Sequence, residues 1–209
     1  MSNSNNVTKD CADALAAARR AKGWVVGLLL LVMLGQIALF FVFHTRRIEL
    51  APLPAPGRPH LVDLIRYGVG LSGFLGVVLS VMLAVSLLLI VNIMLAGRMS
   101  GVGHVVSALA WSVGLMLLLF PWQAFLANAN FTSTEFKIPG VLYTWDELVA
   151  RGRWENNKAP MEQLVLHWGR FVFFPIMAVI VLLAAEFKSG RGVKRAGKDI
   201  AAAAEKTDA

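Results

Sequence analysis

The chain has 209 residues, of which 57% are hydrophobic and only 16% are charged, and its formal net charge is +7. Soluble domains carry about 45–50% apolar and about 25% charged residues, so the composition excludes an ordinary soluble domain. The single cysteine, Cys11, excludes a disulfide within the chain and a dithiol redox enzyme.

The hydrophobic residues are concentrated in four long stretches, and the first three contain no charged residue. A membrane-spanning helix needs about 20 predominantly apolar residues. A core helix of a soluble protein would keep a polar stripe, which these stretches almost entirely lack. The sequence therefore predicts an all-α integral membrane protein with four transmembrane helices, at residues 24–43, 67–95, 105–125 and 164–187.

The basic flanks predict that both termini are cytoplasmic. Lys and Arg cluster before the first span and after the fourth, as they do in cytoplasmic flanks. Arg46 and Arg47, directly after the first span, argue for the opposite orientation. With cytoplasmic termini, the spans form two hairpins in a bacterial inner membrane. The expected cytoplasmic segments are 1–23, 96–104 and the basic tail 188–209, and the extracytoplasmic loops are the Pro-rich 44–66 and 126–163.

The second span repeats a small residue at every fourth position. These residues are Ser72, Gly76, Ser80 and Ala84. Small residues at this spacing let another helix approach closely, which is the main way helices associate in lipid. We predict that this face packs inside the bundle, with a seam between two copies as the alternative. Leu79, beside it, is predicted to face lipid.

The third loop contains the segment "IPGVLYTWDELVARGRWENN", which resembles part of a soluble protein. Thr144 and Glu147 have the spacing of a capping box, in which each side chain binds a free backbone N–H at the helix start. The sequence predicts a short amphipathic helix at 144–151. Its apolar residues Trp145, Leu148 and Val149 should dock on the outer surface of the bundle, the lipid headgroups or a partner, since two turns are too short to be stable alone.

Two histidines are predicted to lie on the outer side, His44 after the first span and His167 at the start of the fourth. Two facing histidines can ligate haem, but histidines at a membrane rim among headgroups are the simpler interpretation. We therefore expect no catalytic, cofactor-binding or metal site. If the chain is an enzyme, its candidate site is His44, His167, Arg170 and Glu147 at the outer rim.

No Asp, Glu, Lys or Arg lies in the middle of any predicted span, whereas ion-coupled carriers usually contain such residues. The basic tail favours anionic lipid over nucleic acid as a partner. We expect a non-enzymatic structural or accessory component that contacts the lipid bilayer and other membrane subunits or copies of itself. An oligomeric pore or carrier is the first alternative, and an enzyme with a site at the outer rim is the second.

Overall fold

The computed structural model describes residues 2–45, 59–120, 122, 141–151, 165 and 167–208. These residues are 93% helical and include no strand. The helices are α1 (Ser2–Thr45), α2 (Pro59–Ala96), α3 (Val102–Leu119), α4 (Trp145–Arg151), a π-helix (Gly169–Phe173) and α5 (Phe174–Asp208). The Pro-rich segment and most of the third loop lie outside the described residues.

Four helical segments are long and apolar enough to cross a membrane: Asp10–His44, Asp63–Ala96, Val102–Leu119 and Gly169–Ala202. Many large apolar side chains on these segments are exposed. Such a surface would promote aggregation in water, whereas it is expected on a helix that faces lipid chains. The predicted all-α fold with four candidate membrane spans is therefore confirmed.

The first and last helices are longer than the spans predicted from hydropathy. α1 begins at Ser2 rather than at residue 24, and α5 continues to Asp208. Both extensions are rich in alanine, the residue with the highest helix propensity. Each extension also has a buried side, which includes Leu15 and Ala18 on α1 and Val193 and Ala196 on α5. Propensity and packing together extend these helices beyond their apolar parts.

Residues 97–101 connect α2 to α3 in a tight turn against α5. Arg98 and Gly101 have φ values of 51° and 90°, so the chain reverses through left-handed conformations. A Cβ atom at Gly101 would lie 2.7 Å from the carbonyl oxygen of Gly192, so only glycine permits this approach. Asp199 Oδ2 accepts a hydrogen bond of 2.6 Å from the Ser100 backbone N–H and holds the turn on α5.

The chain divides into two compact units. The first unit comprises Met1–Leu28, Leu79–Met116 and Ile180–Ala209, and the second comprises Leu29–Val78 and Leu117–Val179. The first unit buries apolar residues of α2, α3 and α5, including Leu83, Leu87, Ile90, Met94, Val105, Ala108, Leu182 and Ala185. The second unit has a core cluster of Phe40, Phe43, Ile65, Val69, Tyr143, Leu148 and Phe171.

Candidate functional site

Three irregular residues before α4, Val141–Tyr143, connect three helices of the second unit. The Val141 backbone N–H donates a 3.2 Å hydrogen bond to the carbonyl of Leu118 in α3. The Leu142 side chain fills the space above Gly76 of α2, where a Cβ atom would lie 2.6 Å from Leu142 Cδ1. The buried Tyr143 hydroxyl donates to a backbone carbonyl of α1, that of Gln36. We call Val141–Tyr143 the bridging segment.

The bridging segment lies beside the apolar parts of α1 and α2, well inside their ends, and beside the last turn of α3. At 1.5 Å per residue, Gln36 lies about 13 Å before Thr45, where α1 ends. Gly76 lies about 13 Å after Tyr67, the first residue of the predicted second span. Irregular backbone at this depth of a membrane protein must find its hydrogen-bond partners within the protein. The side chain of Arg170 supplies two of them.

Arg170 binds both the bridging segment and α4. Its Nε lies 2.6 Å from Glu147 Oε1, and its Nη2 donates to Glu147 Oε2 at 2.8 Å. Its Nη1 donates to the carbonyl of Val141 at 3.1 Å, and Nη2 also donates to that of Leu142 at 3.4 Å. The two side chains are only 9% and 8% exposed. We call this arrangement the Arg170 clamp, and its charge-assisted, bidentate geometry makes it strong.

The π-helix places Arg170 in the clamp. Its hydrogen bond runs from the Phe174 backbone N–H to the carbonyl of Gly169, one residue further than in an α-helix. Pro175 follows directly and has no N–H to donate to the carbonyl of Phe171, which weakens the regular α-helical pattern there. Single π-turns within α-helices occur frequently at functional sites. This one brings a buried cation to Glu147.

A second set of polar contacts joins α1 to α2 beside the bridging segment. Gln36 Nε2 donates to Ser72 Oγ at 2.7 Å, and Ser72 Oγ donates to the carbonyl of Val69 at 2.8 Å. Burial raises the pKa of the Tyr143 hydroxyl, so it stays protonated and remains a donor to Gln36. These contacts stabilise an interior that hydropathy alone predicts to be purely apolar.

The two predicted rim histidines come together, but among aromatic rings. The His44 and His167 ring centroids are 6.0 Å apart. Phe40 lies 5.6 Å from His44 and 5.5 Å from His167, and Trp168 lies 5.8 Å from His44, again between centroids. His167 is buried, and it also contacts Phe171. Within the described ranges, no three His, Cys, Asp or Glu side chains are grouped so as to hold a metal ion.

The apolar face predicted for the short helix lies in the core of the second unit. Leu148 is fully buried, and Trp145 and Val149 are partly buried against the same cluster. The Glu147 backbone N–H donates to Thr144 Oγ1 at 3.3 Å, which is one half of the predicted capping box. The other half is replaced, because the Glu147 carboxylate binds Arg170.

The small residues of α2 have four different environments. Ser72 binds Gln36, and Gly76 accommodates Leu142 of the bridging segment rather than a helix backbone. Ser80 is buried and Ala84 is half-buried, both in the first unit. Leu79 is only 7% exposed, so the prediction that it faces lipid is wrong. The buried side of α2 is wider than the small-residue pattern indicates.

The first unit contains a partly buried ion pair that the sequence does not predict. Lys22 Nζ lies 2.6 Å from Glu186 Oε2 and donates to Ser189 Oγ at 2.8 Å. The Lys22 side chain is 3% exposed and that of Glu186 is 38% exposed. Both residues border apolar stretches, where a charge taken alone indicates only the orientation of the chain in the membrane. Opposite charges at the borders of the first and fourth spans could have indicated the pair.

The four long apolar helices define the chain as an all-α, multi-pass membrane protein. The chain matches no protein-family model, no curated protein and no solved structure.

Proposed function

We propose that the chain is a non-enzymatic structural or accessory component of a membrane assembly. In this proposal the chain lies in a bacterial inner membrane, with two helical hairpins and both termini cytoplasmic. The observation that carries the proposal is the Arg170 clamp, in which the buried Arg170 and Glu147 side chains bind each other and the backbone of the chain itself. Arg170 and Glu147 also belong to the candidate enzyme site, and their contact with each other supports a structural role for both.

The clamp supports a scaffold for a physical reason. A catalytic acid, base or anion-binding group must come within hydrogen-bonding reach of its substrate. Arg170 donates to both oxygens of Glu147 and to the carbonyls of Val141 and Leu142. Freeing it for a ligand would leave a buried carboxylate without its cation, which is strongly unfavourable. The clamp therefore favours a structural role for Arg170 and Glu147, in which they hold the bridging segment in place, over a catalytic role.

The surface of α1 supports a partner helix. Gly23 and Gly27 are both exposed, and a Cβ atom at either position would have no neighbour within 4 Å. Two glycines four residues apart on an apolar helix allow another helix to come close. The partner in the proposed assembly is a second copy of the chain or another membrane subunit.

Purification in mild detergent followed by mass spectrometry and crosslinking tests the proposal. We expect a membrane protein, or a second copy, to copurify at fixed stoichiometry. Gly27→Leu should abolish the association, and Leu28→Ala, at an exposed position about 100° further round α1, should preserve it. A monomer with no reproducible partner would contradict the proposal, as would turnover of a substrate by the pure protein.

The Lys22–Glu186 pair favours a second candidate, a subunit of an oligomeric pore or carrier. Charged groups inside membrane helices often mark a pathway for ions or protons. Both residues lie at the ends of the apolar parts of candidate spans, and Glu186 is partly exposed. Solute flux through liposomes containing the pure protein would support this candidate if Glu186→Gln abolished the flux. If the wild-type protein showed no flux and Glu186→Gln only lowered its stability, the pair would have a structural role.

A further inference from the structure

One face of α5 is cationic beyond the apolar part of the helix. Its residues are Arg191, Lys194, Arg195 and Lys198. They follow the spacing i, i+3, i+4 and i+7, which places them on one side of a helix. All four are exposed, while Val193 and Ala196 on the opposite side are buried. We call this surface the basic face.

The basic face continues an apolar face of the same helix. Ile180, Leu183 and Phe187 lie on the same side one to three turns earlier, and all three are exposed. The Arg191 guanidinium lies 4.1 Å from the centroid of the Phe187 ring. This surface therefore changes from lipid-compatible to cationic within one helical turn. Such a change is expected where a helix leaves the hydrocarbon region for the headgroup region.

No carboxylate neutralises the basic face among the residues that the structure describes. Their ion pairs join Lys22 to Glu186 and Arg170 to Glu147. Asp199, the neighbouring acidic residue on α5, accepts a hydrogen bond from the Ser100 backbone. The four positive charges are thus available to an anionic partner.

The dimensions of the basic face match a layer of lipid headgroups. From Arg191 to Lys198 the helix rises about 10 Å. The headgroup region adds roughly 5–8 Å on each side of the hydrocarbon core, and electrostatic attraction reaches about 8–10 Å at physiological salt. We propose that the basic face binds the phosphates of anionic phospholipids in the adjoining leaflet. This inference is independent of the accessory role proposed above.

Lipid binding to the full-length protein tests the inference. The probes are phosphatidylglycerol and phosphatidylcholine, added in equal amounts to protein in neutral detergent and counted by native mass spectrometry. The test variant is Arg191→Gln with Lys194→Gln. The control is Arg46→Gln with Arg66→Gln, which removes the same net charge from residues outside α5.

We expect the wild-type protein to retain phosphatidylglycerol in preference to phosphatidylcholine, and added salt to weaken this preference. A cation near a lipid surface contributes up to about fivefold in affinity, so the test variant should lose roughly tenfold or more of the preference. The control should lose much less. Equal losses in the two variants would overturn the inference, because net charge alone would then explain them. A wild-type protein without the preference would also overturn it and would indicate an acidic protein as the partner instead.

Discussion

At the scale of single residues, the Arg170 clamp shows why this position requires arginine. The planar guanidinium presents several N–H groups in fixed directions, and the clamp uses them on a carboxylate and two carbonyls. A lysine ammonium is a point charge and cannot reproduce this geometry. The clamp therefore depends on the shape of the cation as well as on its charge.

We predict that Arg170→Met lowers the free energy of unfolding by on the order of 3–5 kcal/mol, because it leaves the Glu147 carboxylate buried without a cation. Arg170→Lys should fall between this variant and the wild type. The double variant Arg170→Met with Glu147→Leu should regain part of the loss, since it no longer buries a lone charge. Recovery should be incomplete, because the carbonyls of Val141 and Leu142 still lack their donor.

Reversible unfolding in mild detergent, followed by circular dichroism, measures these differences. A double variant as unstable as the sum of the two single variants would contradict the clamp. The exposed substitution Arg98→Met serves as the control for loss of a positive charge.

The sequence places Arg170 and Glu147 in one candidate site at the outer rim, but it does not predict that the two side chains form an ion pair. The spacing of Thr144 and Glu147 predicts a capping box, and half of it is present in the hydrogen bond from the Glu147 backbone N–H to Thr144 Oγ1. Arg170 attracts the Glu147 carboxylate from a distant part of the chain, because pairing two buried charges outweighs a cap to one backbone N–H. A rule that considers only neighbouring residues cannot detect such a partner.

At the scale of elements, α4 depends on its surroundings. It has only seven residues, fewer than an isolated helix needs in water. Leu148 is fully buried, and Trp145 meets the Phe43 ring at a centroid distance of 6.1 Å. Its stability therefore comes from packing and from the Glu147 contact, with the Thr144 cap as a smaller contribution.

We predict that Trp145→Ala destabilises α4 more than Thr144→Ala does. Losing the packing of Trp145 should cost about 1.5–3 kcal/mol, whereas losing a cap costs about 1 kcal/mol. Trypsin cleavage after Arg151, in reconstituted membranes, should accelerate most in Trp145→Ala. If the two variants were cleaved at equal rates, the contact of Trp145 with the core would contribute little.

The contact between the bridging segment and α2 predicts that a larger side chain at Gly76 is destabilising. Gly76→Leu should destabilise the protein by roughly 1–3 kcal/mol, because Leu142 already occupies the space beside Gly76. Gly70→Leu is the matched control, since nothing lies within 4 Å of a Cβ atom at Gly70. Thermal unfolding in detergent compares the two. Equal transition temperatures would show that the packing of Leu142 does not require the absence of a side chain at Gly76.

At the scale of the whole molecule, hydropathy predicted the number of long helices because burial of apolar residues in lipid is a collective property. It did not predict where α1 begins or how far α5 extends, because alanine-rich polar ends are not apolar. Average hydropathy also carries no information on the buried polar contacts of Gln36, Ser72 and Tyr143. Single polar residues hardly change the average hydropathy of a span, and only three-dimensional packing determines which of them meet.

The orientation of the chain in the membrane gives the last prediction. Cytoplasmic termini place Cys11, near the start of α1, on the inner side and Asp63, near the start of α2, on the outer side. Cys11 should react with a small membrane-impermeant thiol reagent only after the cells are opened. In a Cys11→Ser background, Asp63→Cys should react in intact cells, since this position is exposed. The opposite labelling pattern would invert the orientation, as Arg46 and Arg47 would favour, and would place the basic face of α5 against the outer leaflet. Labelling of both positions from the same side would instead show that α1 and α2 do not form the proposed arrangement, because an odd number of crossings must separate Cys11 from Asp63.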